Sequence, residues 1–218
     1  MIFLGSCEET NSEKIDVSHI KAIVKIDRFD IDFYSSNKET LSDTKLKYPM
    51  LFPKEQDSVW INKINNVQER ELFSETQKVF KNISEIEIGL EKLLKHVKFY
   101  NTKYKIPRII TMLTNLDYDN RVVVADSLLL ISLDNYLGKE HVFYNDYPEY
   151  IKQNNTKSHI VVDVASEIID KQVPENNNRK FLDKMIYEGK KMYLLDRYLP
   201  LESDNEKFKS AEKGVEDA

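Results

Sequence analysis

Three short apolar runs, Pro107–Leu113, Arg121–Ala125 and Ser127–Leu133, sit close together in the middle of the chain. They are rich in Ile, Val and Leu and too short to make buried helices, so they read as strands. The polar stretch Asn115–Asn120 reads as a hairpin turn joining the first two, and Ala125-Asp126-Ser127 as a kink into the third. Sequence on either side is helical in pattern. Leu72, Phe73, Thr76, Val79 and Phe80 make one stripe within Asp57–Phe80, behind the cap candidates Asn65 and Asn66. Ile86, Leu90, Leu93, Leu94 and Val97 form a second stripe, from which His96 departs and so reads as solvated. Ile160–Gln172 carries a double apolar row, and Arg179–Tyr198 follows the breaker 173–178 and stops at Pro200. A small sheet between helical runs makes an α+β domain, mostly helical, with three to four strands.

Before these elements, Ile20–Phe33 reads as extended, its β-branched Ile23, Val24 and Ile26 leading into a polar turn at Asp27–Asp30. Two prolines bar helix through residues 48–53. With 218 residues the chain can bury a self-sufficient core. Net charge is −5 with acids and bases interspersed, and no basic stripe is available to neutralise a phosphate backbone. Nucleic acid is therefore excluded as the expected partner. A single cysteine excludes an internal disulfide framework. The longest apolar passage, Val122–Leu133, is broken by Asp126 and Ser127, so no segment approaches the ~18 apolar residues of a membrane span.

That cysteine, Cys7, stands behind Leu4-Gly5-Ser6, the residue types of a bacterial lipoprotein cleavage box. The small residues give a signal peptidase access to the backbone, and the thiol would accept a diacylglyceryl group. Residues 1–6 then read as the remnant of a signal peptide and 7–18, polar and acidic, as a lipidated tether. Residues 19–200 form a single domain, and 201–218 a frayed or divergent tail. The expected location is the cell envelope, on the periplasmic side or at the outer membrane.

Chemistry-bearing clusters are sparse. No two of His19, His96, His141 and His159 are at metal-ligand spacing. The best carboxylate layout is Asp163 and Glu167, one helical turn apart, with Glu188 on the next helix. It copies the spacing of a metallopeptidase, with carboxylates where imidazoles belong and Val164 where the general base belongs. Three carboxylates would suit a hard cation better than zinc; the alternative is a solvated polar helix face. Glu188 interrupts an apolar line beside Gly189, which implies close packing there or a binding role. The spacing Asp117-Tyr118-Asp119 lacks the rest of a calcium loop and reads as a turn. No Gly-x-Ser-x-Gly elbow and no glycine-rich phosphate loop occurs. The aromatic loop containing Tyr144, Tyr147 and Tyr150 offers contact area for a sugar or a partner protein.

Several passages together resemble the gliding-motility lipoproteins of the GldB family. They are the box at Leu4–Cys7, Lys47–Pro53, Asp57–Ile61, Asp117–Arg121, Ala125–Leu130, Leu133–Gly138, Tyr147–Ile151 and Met185–Lys191. The resemblance implies an envelope lipoprotein required for gliding and associated with type IX secretion. It also implies a fold similar to predicted zincin-like peptidases, with the zinc-binding histidines absent at Asp163 and Glu167. On that basis the chain is expected to be a non-enzymatic scaffold or assembly factor without cofactor. Its expected partners are other envelope motility or secretion proteins, together with the membrane through its N-terminal lipid. The rival expectations are a metal-dependent hydrolase using the three carboxylates and a cell-wall glycan-binding module using the tyrosines.

Overall fold

The structure, a computed structural model, describes residues 15–174 and 180–208. Cys7, the tether ahead of residue 15 and the tail beyond residue 208 lie outside the described residues. The order is β1 (Ile26–Arg28), α1 (Phe29–Tyr34), α2 (Leu41–Lys47), α3 (Asp57–Asn65), α4 (Val67–Val79), α5 (Ser84–Tyr100), β2 (Arg108–Met112), β3 (Val122–Ala125), β4 (Leu128–Ser132), α6 (Glu149–Lys152), α7 (Ile160–Gln172), α8 (Phe181–Tyr198) and α9 (Asp204–Phe208). Helices carrying one small four-stranded sheet make an α+β fold.

The strands run in the order β1-β2-β4-β3. β1 pairs parallel with β2 through Ile26↔Ile109, β2 pairs parallel with β4 through Ile110↔Leu130, and β3 is antiparallel to β4 through Val124↔Leu129. This corrects the expected β2–β3 hairpin. β4 is Leu-Leu-Leu-Ile-Ser, a run without alternation, and such a strand belongs in the sheet interior with neighbours on both edges. The tight turn is at the expected kink: the register Ala125↔Leu128 leaves Asp126 and Ser127 as a two-residue loop, and Asp126 has φ 43°. A left-handed residue there matches the twist of a hairpin.

β1 is also shorter than expected, because the chain turns helical at Phe29. Phe29 and Phe33 lie one turn apart, both buried, with ring centroids 5.3 Å apart. Between them Asp30 is buried too, which is tolerable only because its carboxylate is fully engaged. Arg28 donates to both oxygens (2.9 and 2.7 Å), Thr111 Oγ1 donates to one (2.6 Å) and Gln77 Nε2 to the other (2.9 Å). These bonds tie β1, α1, α4 and β2 together.

Asn66 separates α3 from α4, and its side chain caps α4 by accepting from Gln68 N (2.9 Å) and Glu69 N (3.2 Å). α5 and α7 approach so closely that a Cβ on Gly89 would sit 2.8 Å from Val161 Cγ2. His96 is buried rather than solvated, its Nδ1 2.9 Å from the Lys92 carbonyl oxygen. α7 packs on β3 and α5, and α8 packs on both α7 and α5.

Candidate functional site

Where β2 ends, the chain enters a strained loop. Asn115 and Leu116 are both left-handed, with φ 59° and 64°. For Leu this conformation costs roughly 1–2 kcal/mol, so something must hold it. The holding group is Asp134, in a 3₁₀ turn directly after β4. Its carboxylate accepts from Leu116 N (2.7 Å) and from Thr114 N (3.1 and 3.2 Å). Tyr147 OH donates to the Leu116 carbonyl, and Asn135 Nδ2 donates to the Asp117 carbonyl (3.1 Å). Asn115 Nδ2 reaches Glu69 Oε1 at 3.0 Å, and Glu69 also receives Tyr34 OH and pairs with Lys63 at 3.0 Å. Asp117 folds back on its own turn, accepting from Asp119 N, Asn120 N and Asn120 Nδ2. The acidic spacing there is spent on a turn, as its sequence implied.

Burial sets the electrostatics of this clamp. Asp134 is completely shielded, and desolvation pushes its carboxyl up from 3.8 to about 6 against the pull of the Leu116 and Thr114 N–H groups. Glu69 moves the other way: burial opposes ionisation, but Tyr34, Lys63 and Asn115 outweigh it and lower its pKa.

Two residues on from Asp134 the same turn contributes a second polar group. Tyr136, fully buried, donates its hydroxyl to Asp163 Oδ2 on α7 at 2.7 Å. Arg121, at the start of β3, meets that oxygen at 3.5 Å. His159, also fully buried, places Nε2 3.4 Å from Asp163 Oδ1 and Nδ1 3.1 Å from Glu206 Oε1 on α9. Burial alone would lower the His159 pKa, but the two carboxylates outweigh it and raise it. The Tyr136 hydroxyl is held well above its ordinary pKa, by burial first and by Asp163 second.

A sequence model of the gliding motility protein GldB family matches residues 10–218. The chain belongs to the GldB family. No curated protein and no solved structure matches it. Among the described residues no helix is long and apolar enough to cross a membrane.

In this GldB-family chain two of the passages that carry the resemblance, residues 117–121 and 133–138, are the two sides of one hydrogen-bonded unit. Asn135 grips the Asp117 carbonyl, Ser132 Oγ donates to the Asn120 carbonyl (3.1 Å), and Arg121 and Tyr136 converge on Asp163. Asp163 is therefore engaged by its own chain. Glu167 lies one turn further along α7, half-buried, its pKa raised by desolvation and then by Asp170. Glu188 projects from α8 with its side chain 59 % exposed, 3.7 Å from Lys191 Nζ. The three carboxylates do not converge, and among the described residues no group of three His, Cys, Asp or Glu side chains could hold a metal ion.

The tyrosine loop is likewise divided. Tyr144 is buried in the core, its hydroxyl donating to the Asp134 carbonyl (2.6 Å) and accepting from Leu137 N (3.0 Å). That removes Tyr144 from any contact surface. Tyr147 is half-buried between Tyr144 and Tyr118, with centroids at 5.5 and 5.2 Å, and only Tyr150 is substantially exposed. Close packing at Gly189 is also overturned, since a Cβ there would meet nothing within 4 Å. The residues that do meet, Asp134, Asn135, Tyr136, Arg121 and His159, were not singled out one by one. For three of them the signal was the polar run Asp134-Asn135-Tyr136 just after an apolar interior strand; Arg121 and His159 carried none.

Proposed function

We propose that the chain is a lipid-anchored protein of the cell envelope that acts as a non-enzymatic scaffold or assembly factor in gliding motility, working beside type IX secretion. The match to the GldB family over residues 10–218 carries this reading. The disposition of the polar residues supports it. Asp134, Tyr136 and Asp163 are each committed to neighbours in the same chain, where they fix a strained loop and tie the sheet to α7. A protein whose polar core is used for shape works through its surface. On this reading the zincin-like fold implied by the resemblance would be a relic, with Asp163 and Glu167 in place of ligands.

Cys7, ahead of the matched segment, is the acylation site in this reading. One acyl chain gives only marginal binding, and two already anchor stably. The test is Cys7→Ala expressed behind a full signal sequence in the native host. The expected outcome is loss of the protein from the membrane fraction together with loss of gliding; an unacylated variant that remained membrane-bound and supported gliding would refute the reading. Crosslinking in intact envelopes, followed by identification of captured motility or secretion proteins, tests the scaffold part.

A further inference from the structure

His159 stands between two carboxylates carried by different elements. It ends the 3₁₀ turn Lys157–His159 that leads into α7, and its side chain has no exposed surface. Nε2 is 3.4 Å from Asp163 Oδ1, one turn along α7, and Nδ1 is 3.1 Å from Glu206 Oε1 on α9. Among the described residues no other group meets Nε2. A neutral imidazole has one N–H and one lone pair, so it can answer only one carboxylate. The imidazolium has an N–H at each nitrogen and answers both.

The charges around the ring balance only with that second proton in place. Arg121, at the start of β3, is 3.5 Å from Asp163 Oδ2, and the Tyr136 hydroxyl donates to the same oxygen. On the α5 side, Glu85 is taken by Lys157 at 3.1 Å. Two cations, Arg121 and the His159 imidazolium, therefore face two anions, Asp163 and Glu206, all four side chains less than a fifth exposed. Loss of the ring proton leaves one cation against two anions in a largely buried cluster, where an unbalanced charge is costly.

The two anions are not equally fixed. Asp163 belongs to α7, a 13-residue helix, and keeps Tyr136 and Arg121 whatever the ring does. Glu206 belongs to α9, which is 5 residues long, and a helix that short has little stability of its own. Its place depends on contacts with the body, which include Glu206 with His159 and Lys207 with Asp196 of α8. Burial opposes the Lys207 charge, but Asp196 and Asp204 outweigh it and raise its pKa from 10.5, so that pair is constant around neutral pH. The contact with His159 is the one that changes charge there.

We propose that α9 is a pH-operated clasp: the His159 imidazolium, bridging Asp163 and Glu206, holds the segment after α8 against the start of α7, and loss of the ring proton lets it go. Burial alone would lower the His159 pKa, but the two carboxylates outweigh it and raise it from 6.5. The stabilisation is thus complete below pH 6.5 and is lost as pH rises through the folded value. The C-terminal segment has two positions, set by the proton concentration of its surroundings.

The test uses the full chain. The His159 ring is titrated by NMR. Exchange of the Lys207 amide, which donates to the Ser203 carbonyl at 3.0 Å within α9, is followed from about pH 6 to about pH 9 and corrected for the intrinsic pH dependence of amide exchange. Its protection should fall about tenfold across the His159 titration, because charge-assisted hydrogen bonds are roughly twice as strong as neutral ones. At every pH it should stay below the protection of β2 and β4, since α9 opens without the sheet. Glu206→Gln keeps the shape of the contact without its charge; it should flatten the profile and lower the His159 pKa. The Asp134 carboxyl is common to both proteins, so the comparison cancels it. His159→Gln should leave α9 weakly protected throughout, and if that variant fails to fold, Glu206→Gln alone decides. Protection independent of pH in the parent would overturn the proposal, as would a profile unchanged by Glu206→Gln or a Lys207 amide as protected as the sheet. Cys7 takes no part, so failure here leaves the anchor reading untouched.

Discussion

Asp134 gives the sharpest quantitative test of how the polar core works. Its carboxyl is raised from 3.8 to about 6 by burial, despite hydrogen bonds from two backbone N–H groups, those of Leu116 and Thr114. The folded pKa lies above the unfolded one, so the stabilising contribution is present in full below pH 3.8 and is lost as pH rises through about 6. A gap of this size corresponds to about 3 kcal/mol, spread over the window from pH 4 to pH 6. Asp134→Asn carries no charge to desolvate, and one of its two atoms can still accept from Leu116. Its amide nitrogen, however, points a donor toward the N–H of Thr114, at a cost of about 1–3 kcal/mol. Near pH 4 the parent carboxyl is itself neutral and carries one O–H donor, so the variant's deficit there should be at most about 1–3 kcal/mol, and it should shrink by about 3 kcal/mol by pH 7. Urea unfolding of both proteins at a series of pH values measures the difference directly, and subtraction cancels the other titrating groups. A carboxyl carbon titration by NMR should place Asp134 near pH 6 in the parent. A deficit that grew with pH would refute the reasoning, because it would mean that the N–H groups outweigh desolvation.

Two glycines in helix interiors should respond to alanine with opposite signs. Gly189→Ala adds a methyl into open space and gains up to about 1 kcal/mol of helix propensity, whereas Gly89→Ala drives a Cβ to 2.8 Å from Val161 Cγ2 and should lose about 1–2 kcal/mol net. Thermal melts should separate the two by several degrees; equal shifts would contradict the α5–α7 packing. Asp30→Ala strands the Arg28 guanidinium against Phe80 and Gln77, and denaturant titration should show a loss of about 3–5 kcal/mol, against less than 1 for the exposed pair at Lys45 and Asp57.

Periodicity reported faithfully on the helices. α7 spans the residues that its double apolar row implied, because a helix packed on one side must repeat its apolar residues every three or four positions. The break between α3 and α4 was legible in Asn66 for a similarly local reason, a side chain that caps its own neighbours. Strand positions were legible as well, but their order was not. Runs of Ile, Val and Leu record that a strand is buried without recording which strand lies beside it. The one clue was β4 itself: four consecutive aliphatic residues imply neighbours on both sides, which a β2–β3 hairpin could not provide. At α1 the misreading had the same root. Phe29 and Phe33 four apart carry a helical signal, but the preceding β-branched residues hide it when they are read in one window.

The polar unit was hidden for a different reason. Asp163 and Glu167 attracted a metal reading because carboxylates one turn apart are what ligand spacing looks like, and spacing cannot register that Tyr136 and Arg121 arrive from elsewhere to occupy Asp163. His96 shows the same limit: it leaves the apolar stripe and is buried anyway, because the Lys92 carbonyl satisfies its ring nitrogen. Burying a polar group costs free energy unless a partner meets it, and those partners come from distant parts of the chain. A carboxylate that sits 18 to 20 residues from the N–H groups it holds therefore leaves no periodic trace. It does leave a compositional one. Polar residues placed directly after an interior strand must be answered within the fold, and in this chain the answer includes a left-handed Leu116 held by Asp134 at its N–H and by Tyr147 at its carbonyl.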